Sequence, residues 1–413
     1  MRVLISAYAC DPFGGSEGAN AWYTAEGLAR AGADVHILTR QADVARTDVA
    51  IRAYAANSGS GSMSSSVLTD AIPRTLDTGQ VGVYARYAAW QVRCHEWAKD
   101  SDNGRWDVGH HLSWGSLSHP IGLAGCGLPL VIGPVGGGQS LEREHERWLD
   151  GDPSHDRWRT AALQMLTPRN PLARRAARQS ALVLATNEET VSLARVLGAR
   201  RIGLGLAEGL RTGQLRASAQ AMPSELSTVW IGRFLPLKAA GLAVASFRHV
   251  LRQQPSARLT LIGDGPTKSR VEALAADLVR AGSVRFEGHL PWAEAQRVLA
   301  QARVHLFTSV RDSSSAQTLE AAALGVPTVA LDAFGSKAFL HRRGFALVDP
   351  LPGEGLDRRF ATHISRLLSL DESGWIAESS GALAFASEHS YRERAIRLLR
   401  VYEEAAQLER GRR

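Results

Sequence analysis

The stretch Arg311–Leu331, RDSSSAQTLEAAALGVPTVAL, sets two carboxylates, Asp312 and Glu320, eight residues apart around a run of serines. Ser314 and Gln317 have capping-box spacing, so a helix should start near Ser315. Gly325 and Pro327 supply its stop signal. Such a start offers free backbone N–H groups and the positive end of a helix to an anion, and a diphosphate suits it. If the span were fully helical, eight residues would separate the acid backbones by about 12 Å. That is wider than the ~5–9.5 Å between carboxyls of a hydrolytic acid/base pair. The acids are better suited to accept hydrogen bonds from hydroxyls on either side of the phosphates, one on a sugar and one on a ribose. The plainer alternative is one capping acid and one surface acid.

Other residues with chemistry lie at the ends of strand-like segments. In WIGRFLPLKAAGL, Arg233 and Lys238 follow a strand and precede a helix; a guanidinium fork and an ammonium point charge both suit phosphate oxygens. LIGDGP (261–266) is a strand ending in a tight turn with Gly263 and Gly265. DPFGGSEG (11–18) joins a strand to a helix, and its adjacent Gly14 and Gly15 do not make a dinucleotide fingerprint. WDVGHHLSWGS puts His110 and His111 at a strand end. Asp264 and the Asp150-Gly-Asp152 pattern lack further ligands at supporting spacing, so no metal is expected.

These segments need a scaffold that puts strand ends together. RVLISAY, a glycine loop, a helix closed by Gly32, and ADVHILTR open an alternation of strand and helix that continues along the chain, which implies parallel sheets. GLAEGLRTGQLRASAQAMPS (205–224) reads as a linker, and STVWIGR begins a second series. The expected architecture is α/β: two Rossmann-like, doubly wound domains facing a cleft, at residues 1–204 and 225–385. Ligands would lie beyond the carboxyl ends of the strands. A basic amphipathic helix, 386–413, ends the chain. ANSGSGSMSSS (56–66) reads as a mobile loop.

The bulk composition agrees. A chain of 413 residues, 45% apolar and 22% charged, is the size of two globular domains. No apolar run approaches the ~20 residues of a membrane span, and MRVLISAYACD lacks the pattern of a signal peptide. Cys10, Cys94 and Cys126 are too few and scattered for a disulfide framework or a zinc site, which suggests a reducing, cytoplasmic setting. The net charge of +7 and the arginines of PRNPLARRAAR fit solvated helix faces, or else peripheral contact with an anionic membrane or an anionic acceptor. No nucleic-acid-binding motif is present.

Taken in order, the motifs resemble the GT-B glycosyltransferases of the large retaining family 4. Gly14-Gly15-Ser16-Glu17 matches the family's Gly-Gly-x-Glu loop, and Asp107…His110 its Asp-x-x-His strand end. Gly232-Arg233…Lys238 and Gly263-Asp264-Gly265-Pro266 match its next two segments. Asp312…Glu320, with Gly325 and Pro327, matches its Glu-x7-Glu element. The resemblance implies that Arg233 and Lys238 hold the donor diphosphate, with Ser314, Ser315, Gly232 and Gly263 near it and Gly15 approaching from the other domain. It implies that Glu320 binds the ribose, Asp312 a donor-sugar hydroxyl, and that His110 or His111 lies near the reacting carbon. It also implies that the C-terminal helix crosses back onto the first domain, which holds the acceptor. Three departures stand out: Asp312 is one methylene shorter than the family's Glu, Ala239 replaces a common Gly, and the usual Pro-Asn-Gly before the linker is missing.

The function this implies is retaining transfer of a sugar from a nucleoside-diphosphate sugar, UDP first and GDP next, to a hydroxyl of a glycan, lipid or specialised-metabolite acceptor, with no metal or other cofactor. The rivals are a nucleotide-sugar epimerase of the same build and a non-catalytic nucleotide-sugar-binding protein.

Overall fold

A computed structural model describes residues 1–14, 16–57, 60–100, 102, 105–211, 213–314, 316–350 and 355–410. They form two compact units. The first contains β1 (Arg2–Ser6), β2 (Asp34–Arg40), β3 (Met63–Leu68), β4 (Val108–His111), β5 (Leu130–Val135), β6 (Ser180–Ala185) and β7 (Ile202–Leu204), in the order β3-β2-β1-β4-β5-β6-β7. The second contains β8 (Ser227–Ile231), β9 (Arg258–Ile262), β10 (Val284–Gly288), β11 (Val304–Phe307), β12 (Thr328–Leu331) and β13 (Phe345–Val348), in the order β10-β9-β8-β11-β12-β13. Every pairing is parallel, with registers such as Val3↔Val35 and Val229↔Thr260. Both sheets are doubly wound, as the strand–helix alternation predicts.

Helices cover both faces of the first sheet, so its central strands β1, β4 and β5 are buried at every residue but Arg2. On one face Val3, Ile5 and Ile37 meet Leu28, Leu398 and Tyr402; on the other, Leu4 and Ile132 meet Tyr87, Trp90 and Ala176. The C-terminal helix, Tyr391–Arg410, belongs to this first unit. A Cβ on Gly27 would stand 2.8 Å from the Tyr391 carbonyl, so glycine is what lets the two helices approach. The buried Arg394 ties the same helix down by donating to Asn20 Oδ1 (2.8 Å) and to the Ala207 carbonyl (2.5 Å).

Two segments differ from the sequence expectation. Residues Gln139–Ala161 and everything from Leu210 to His389 form the second unit, whereas the expectation drew a boundary at 204 followed by a separate linker. Side chains explain it: His145 Nε2 pairs with the Pro350 carbonyl (3.1 Å), and Arg311 with Asp156 (2.9 Å). Residues of the expected linker are tied to the second unit as well, with Arg216 N–H donating to the Ala323 carbonyl (3.0 Å). The serine-rich stretch is also more ordered than expected. Its later residues form β3, where His36 bridges Ser64 Oγ (2.7 Å) and Ser66 Oγ (3.0 Å) from the neighbouring strand. Residues 58 and 59 of that stretch lie outside the described residues.

Candidate functional site

In the second unit the motif residues gather at the carboxyl edge of β8, β9 and β11. The turn after β9 is built on close backbone approach. Gly263 (φ +134°) and Gly265 (φ +151°) lie against the segment after β8, and Cβ atoms there would stand 1.9 Å from the Gly232 carbonyl oxygen and 2.6 Å from that of Phe234. Phe234 N–H donates to the Asp264 carbonyl (2.8 Å) and Gly232 N–H to that of Ile262 (3.0 Å). The loop bearing Gly232, Arg233 and Lys238 is therefore clamped by its neighbour. It ends at Ala239, a non-glycine residue at φ +49°, which opens the helix Ala240–Gln253. This is where the resemblance expects glycine, and the left-handed backbone gives the reason.

Lys238 Nζ pairs with Asp312 Oδ2, and its ammonium stands 5.4 Å from the centre of the Phe307 ring. Ser309 Oγ donates to Asp312 Oδ2 (3.4 Å). Thr308 Oγ1 bonds the Lys238 and Ala239 carbonyls (3.0 and 2.9 Å) and accepts from Trp230 Nε1 (3.0 Å). The lysine and the acid are thus fixed by the same two strand ends. Arg233 is exposed and, among the described residues, forms no side-chain hydrogen bond or ion pair. Ser314 is buried before the helix Ala316–Ala323. Ser315 lies outside the described residues, as does Gly15.

Glu320 sits within that helix. Trp292 Nε1 donates to its Oε1 (3.4 Å) and Gln296 Nε2 to its Oε2 (3.2 Å), while the Arg211 guanidinium stacks over the Trp292 ring at 5.1 Å. Burial raises the Glu320 pKa, and the two donors and Arg211 partly offset it. Sequence reasoning missed Trp292 and Gln296; their spacing of four on one helix face was the available signal. Asp150 was weighed only as a metal ligand, and its contact here was missed: its buried carboxylate accepts from Gly241 N–H (3.1 Å) in the first turn of the helix after Lys238.

In the first unit, His110 and His111 are 0% and 1% exposed and face opposite sides of the sheet. His110 Nε2–H donates to the Gly133 carbonyl and its Nδ1 accepts from Tyr402 Oη, on the C-terminal helix. His111 pairs through Nδ1 with Ser6 Oγ (3.2 Å) and through Nε2 with Tyr87 Oη (3.3 Å), on the helix Gly79–Lys99. Burial pushes both pKa values down to about 3, so both rings stay neutral near pH 7. Among the described residues, no group of three or more His, Cys, Asp or Glu is arranged to hold a metal ion, and no helix is long and apolar enough to cross a membrane.

Residues 225–369 match the family model of glycosyl transferases group 1. The D-inositol 3-phosphate glycosyltransferase of Segniliparus rotundus is 28% identical over 198 residues, 46% of this chain and 42% of that protein. That of Acidothermus cellulolyticus is 32% identical over 189 residues, 43% of this chain and 40% of that protein. The chain spans less than half the length of these curated relatives. Among solved structures, Anabaena HepE in complex with UDP and glucose matches with a TM-score of 0.61 at 17% identity, over 97% of this chain and 99% of that one. WaaG, a glycosyltransferase involved in lipopolysaccharide biosynthesis, matches with a TM-score of 0.57 at 14% identity, over 99% of this chain and all (100%) of that one. Likeness at such identities speaks for the fold, and the family match falls on the unit that carries Arg233, Lys238, Asp312 and Glu320. The chain therefore has the GT-B fold, and its residues 225–369 match the glycosyl transferases group 1 family.

Proposed function

We propose that the chain transfers a sugar, with retention, from a nucleoside-diphosphate sugar to an acceptor hydroxyl, with UDP as the first candidate carrier and GDP the next. The observation that carries this is the fixed Lys238–Asp312 pair at the strand edge, with the uncommitted Arg233 on the same loop. As the anomeric carbon becomes oxocarbenium-like, negative charge grows on the departing phosphate. Arg233 and Lys238 would stabilise that charge, and the N-terminus of the Ala316–Ala323 helix would add its dipole. Asp312 would accept a hydroxyl of the donor sugar, and Glu320 those of the ribose. The reaction needs no metal in this scheme.

The identity of the relatives supports this reading: two are named as glycosyltransferases acting on D-inositol 3-phosphate, and HepE was solved with UDP and glucose. A cytoplasmic setting with peripheral membrane contact is the compartment proposed. The direct test is release of nucleoside diphosphate from UDP-, GDP-, ADP- and dTDP-glucose with and without acceptors, using intact protein and Arg233→Ala. Acceptor-dependent release that falls about 10²–10³-fold in the variant fits the loss of one transition-state donor. Acceptor-independent conversion to an epimer, or binding without turnover, would replace the transferase reading by one of its rivals.

A further inference from the structure

Six rings gather at the carboxyl edge of the first sheet. Trp114, just past β4, stacks on Tyr87 with centroids 4.0 Å apart and planes 11° apart. It meets Tyr84 at 5.4 Å, His119 at 4.9 Å and Tyr8 at 6.1 Å, each nearly perpendicular. Tyr8 meets Trp90 at 5.4 Å beneath them. Tyr8, Tyr87 and Trp90 are buried, but Tyr84 is 50% exposed and Trp114 and His119 are partly exposed. The cluster is a core at its base and an open aromatic face at its top. Ligands of open α/β sheets bind at this edge.

The backbone there is held in an uncommon shape. Trp114 has φ +48°, a region that a residue with a bulky side chain adopts at a cost and that recurs at binding sites. Its N–H donates to Glu17 Oε1 (3.0 Å), and Gly136 N–H donates to the Gly115 carbonyl (2.7 Å). Glu17, at the start of the first helix (Ser16–Arg30), therefore fixes the loop that presents the ring.

The charges around the rings are matched. Arg40 lies over the Tyr8 ring (4.8 Å) and pairs with Asp43 (3.1 Å); Arg46 pairs with Asp11 (2.7 Å); Tyr8 Oη donates to Asp70 Oδ2 (2.8 Å). A phosphate bound here would compete with carboxylates for each of these cations. A neutral polyol would not, and carboxylates at the rim suit its hydroxyl hydrogens.

We propose that this face binds a neutral sugar ring, its C–H side against Trp114 and Tyr84, with Glu17 as a positioning residue. That the sugar is the acceptor rests on the transferase reading; that it binds here does not.

The test uses the full chain. Cellobiose, maltose and xylobiose are titrated by calorimetry, beside myo-inositol 1-phosphate and 4-nitrophenol, without donor. Binding of at least one disaccharide that weakens at least tenfold in Tyr84→Ala and in Trp114→Ala is expected, with the thermal shift by UDP unchanged in both. In turnover, Glu17→Ala should raise the acceptor KM far more than it lowers kcat, and Glu17→Gln should rescue it. Preference for the phosphate or the phenol over every disaccharide, or no loss in Tyr84→Ala, which is exposed enough to leave the fold intact, overturns the proposal. Disaccharide binding without any nucleotide response would sink the transferase reading and leave this site standing; a nucleotide response without disaccharide binding would do the reverse.

Discussion

Lys238 Nζ is ion-paired with Asp312 Oδ2 across the ends of β8 and β11, neighbouring strands of the second sheet. Both side chains are mostly covered, so removing one leaves the other poorly solvated. Lys238→Ala should lower stability by about 1–2 kcal/mol, discounted for residual exposure, and reduce turnover about 10²–10³-fold. Asp312→Ala frees the ammonium instead of removing it. It should therefore keep UDP binding while losing turnover. Urea midpoints and UDP calorimetry on both variants separate the two effects, and equal loss of UDP binding in both would contradict the division of roles.

Gly263→Ala should be among the most damaging single substitutions in the second unit. Its backbone is at φ +134° and its Cβ would fall 1.9 Å from the Gly232 carbonyl oxygen, so the Arg233–Lys238 loop must shift. A loss of about 3 kcal/mol or more is expected, at the top of the range for a point change. Thermal unfolding measures it. A loss below about 1 kcal/mol would mean that the clamp between the two loops is dispensable.

What could be foreseen from sequence was what local chemistry dictates. Gly32, expected to close the first helix, does so at φ +95°, a backbone shape that glycine adopts most easily. Gly263 and Gly265 were legible for the same reason. The β3 strand was not, since serine has little preference for strands and its place is won by hydrogen bonds to His36, twenty-eight residues away for Ser64. The assignment of Gln139–Ala161 to the second unit was equally hidden, because it depends on long-range contacts such as that of Arg311 with Asp156. At the site, Lys238 and Asp312 could be named singly, while their pairing, and the Trp292 and Gln296 donors to Glu320, needed three dimensions.

Asp150 should give the second unit a recognisable pH dependence. Burial raises its pKa to about 6, partly offset by the N–H groups of Gly241 and Ala240 and by Arg270. An unfolded aspartate titrates near 3.9, so between roughly pH 4 and 6 the folded state holds the proton more tightly. Stability should therefore fall as pH rises through that window, by up to about 3 kcal/mol once the group is ionised. Asp150→Asn keeps an oxygen for Gly241 N–H and removes the titration. Its urea midpoints at pH 4, 5, 6 and 7 should lack this decline, and the variant should be at least as stable as the parent at pH 7. An unchanged slope would assign the titration elsewhere.

Glu320 should impose the opposite sign on nucleotide binding. In the proposed function its ionised carboxylate is the form that would accept ribose hydroxyls, and burial raises its pKa above the ordinary range of about 4.3. UDP affinity should therefore rise with pH as the group ionises. Glu320→Gln replaces a charge-assisted acceptor by a neutral one, which should weaken UDP about tenfold at pH 8, or about 1.4 kcal/mol. The variant should also approach the parent as pH falls. UDP phosphate itself titrates near pH 6, but it does so equally in both proteins, so the ratio of their affinities isolates the side chain. Calorimetry at pH 5, 6, 7 and 8 gives that ratio. A ratio that stays constant across the range would mean that Glu320 holds no ribose hydroxyl and serves only to anchor Trp292 and Gln296.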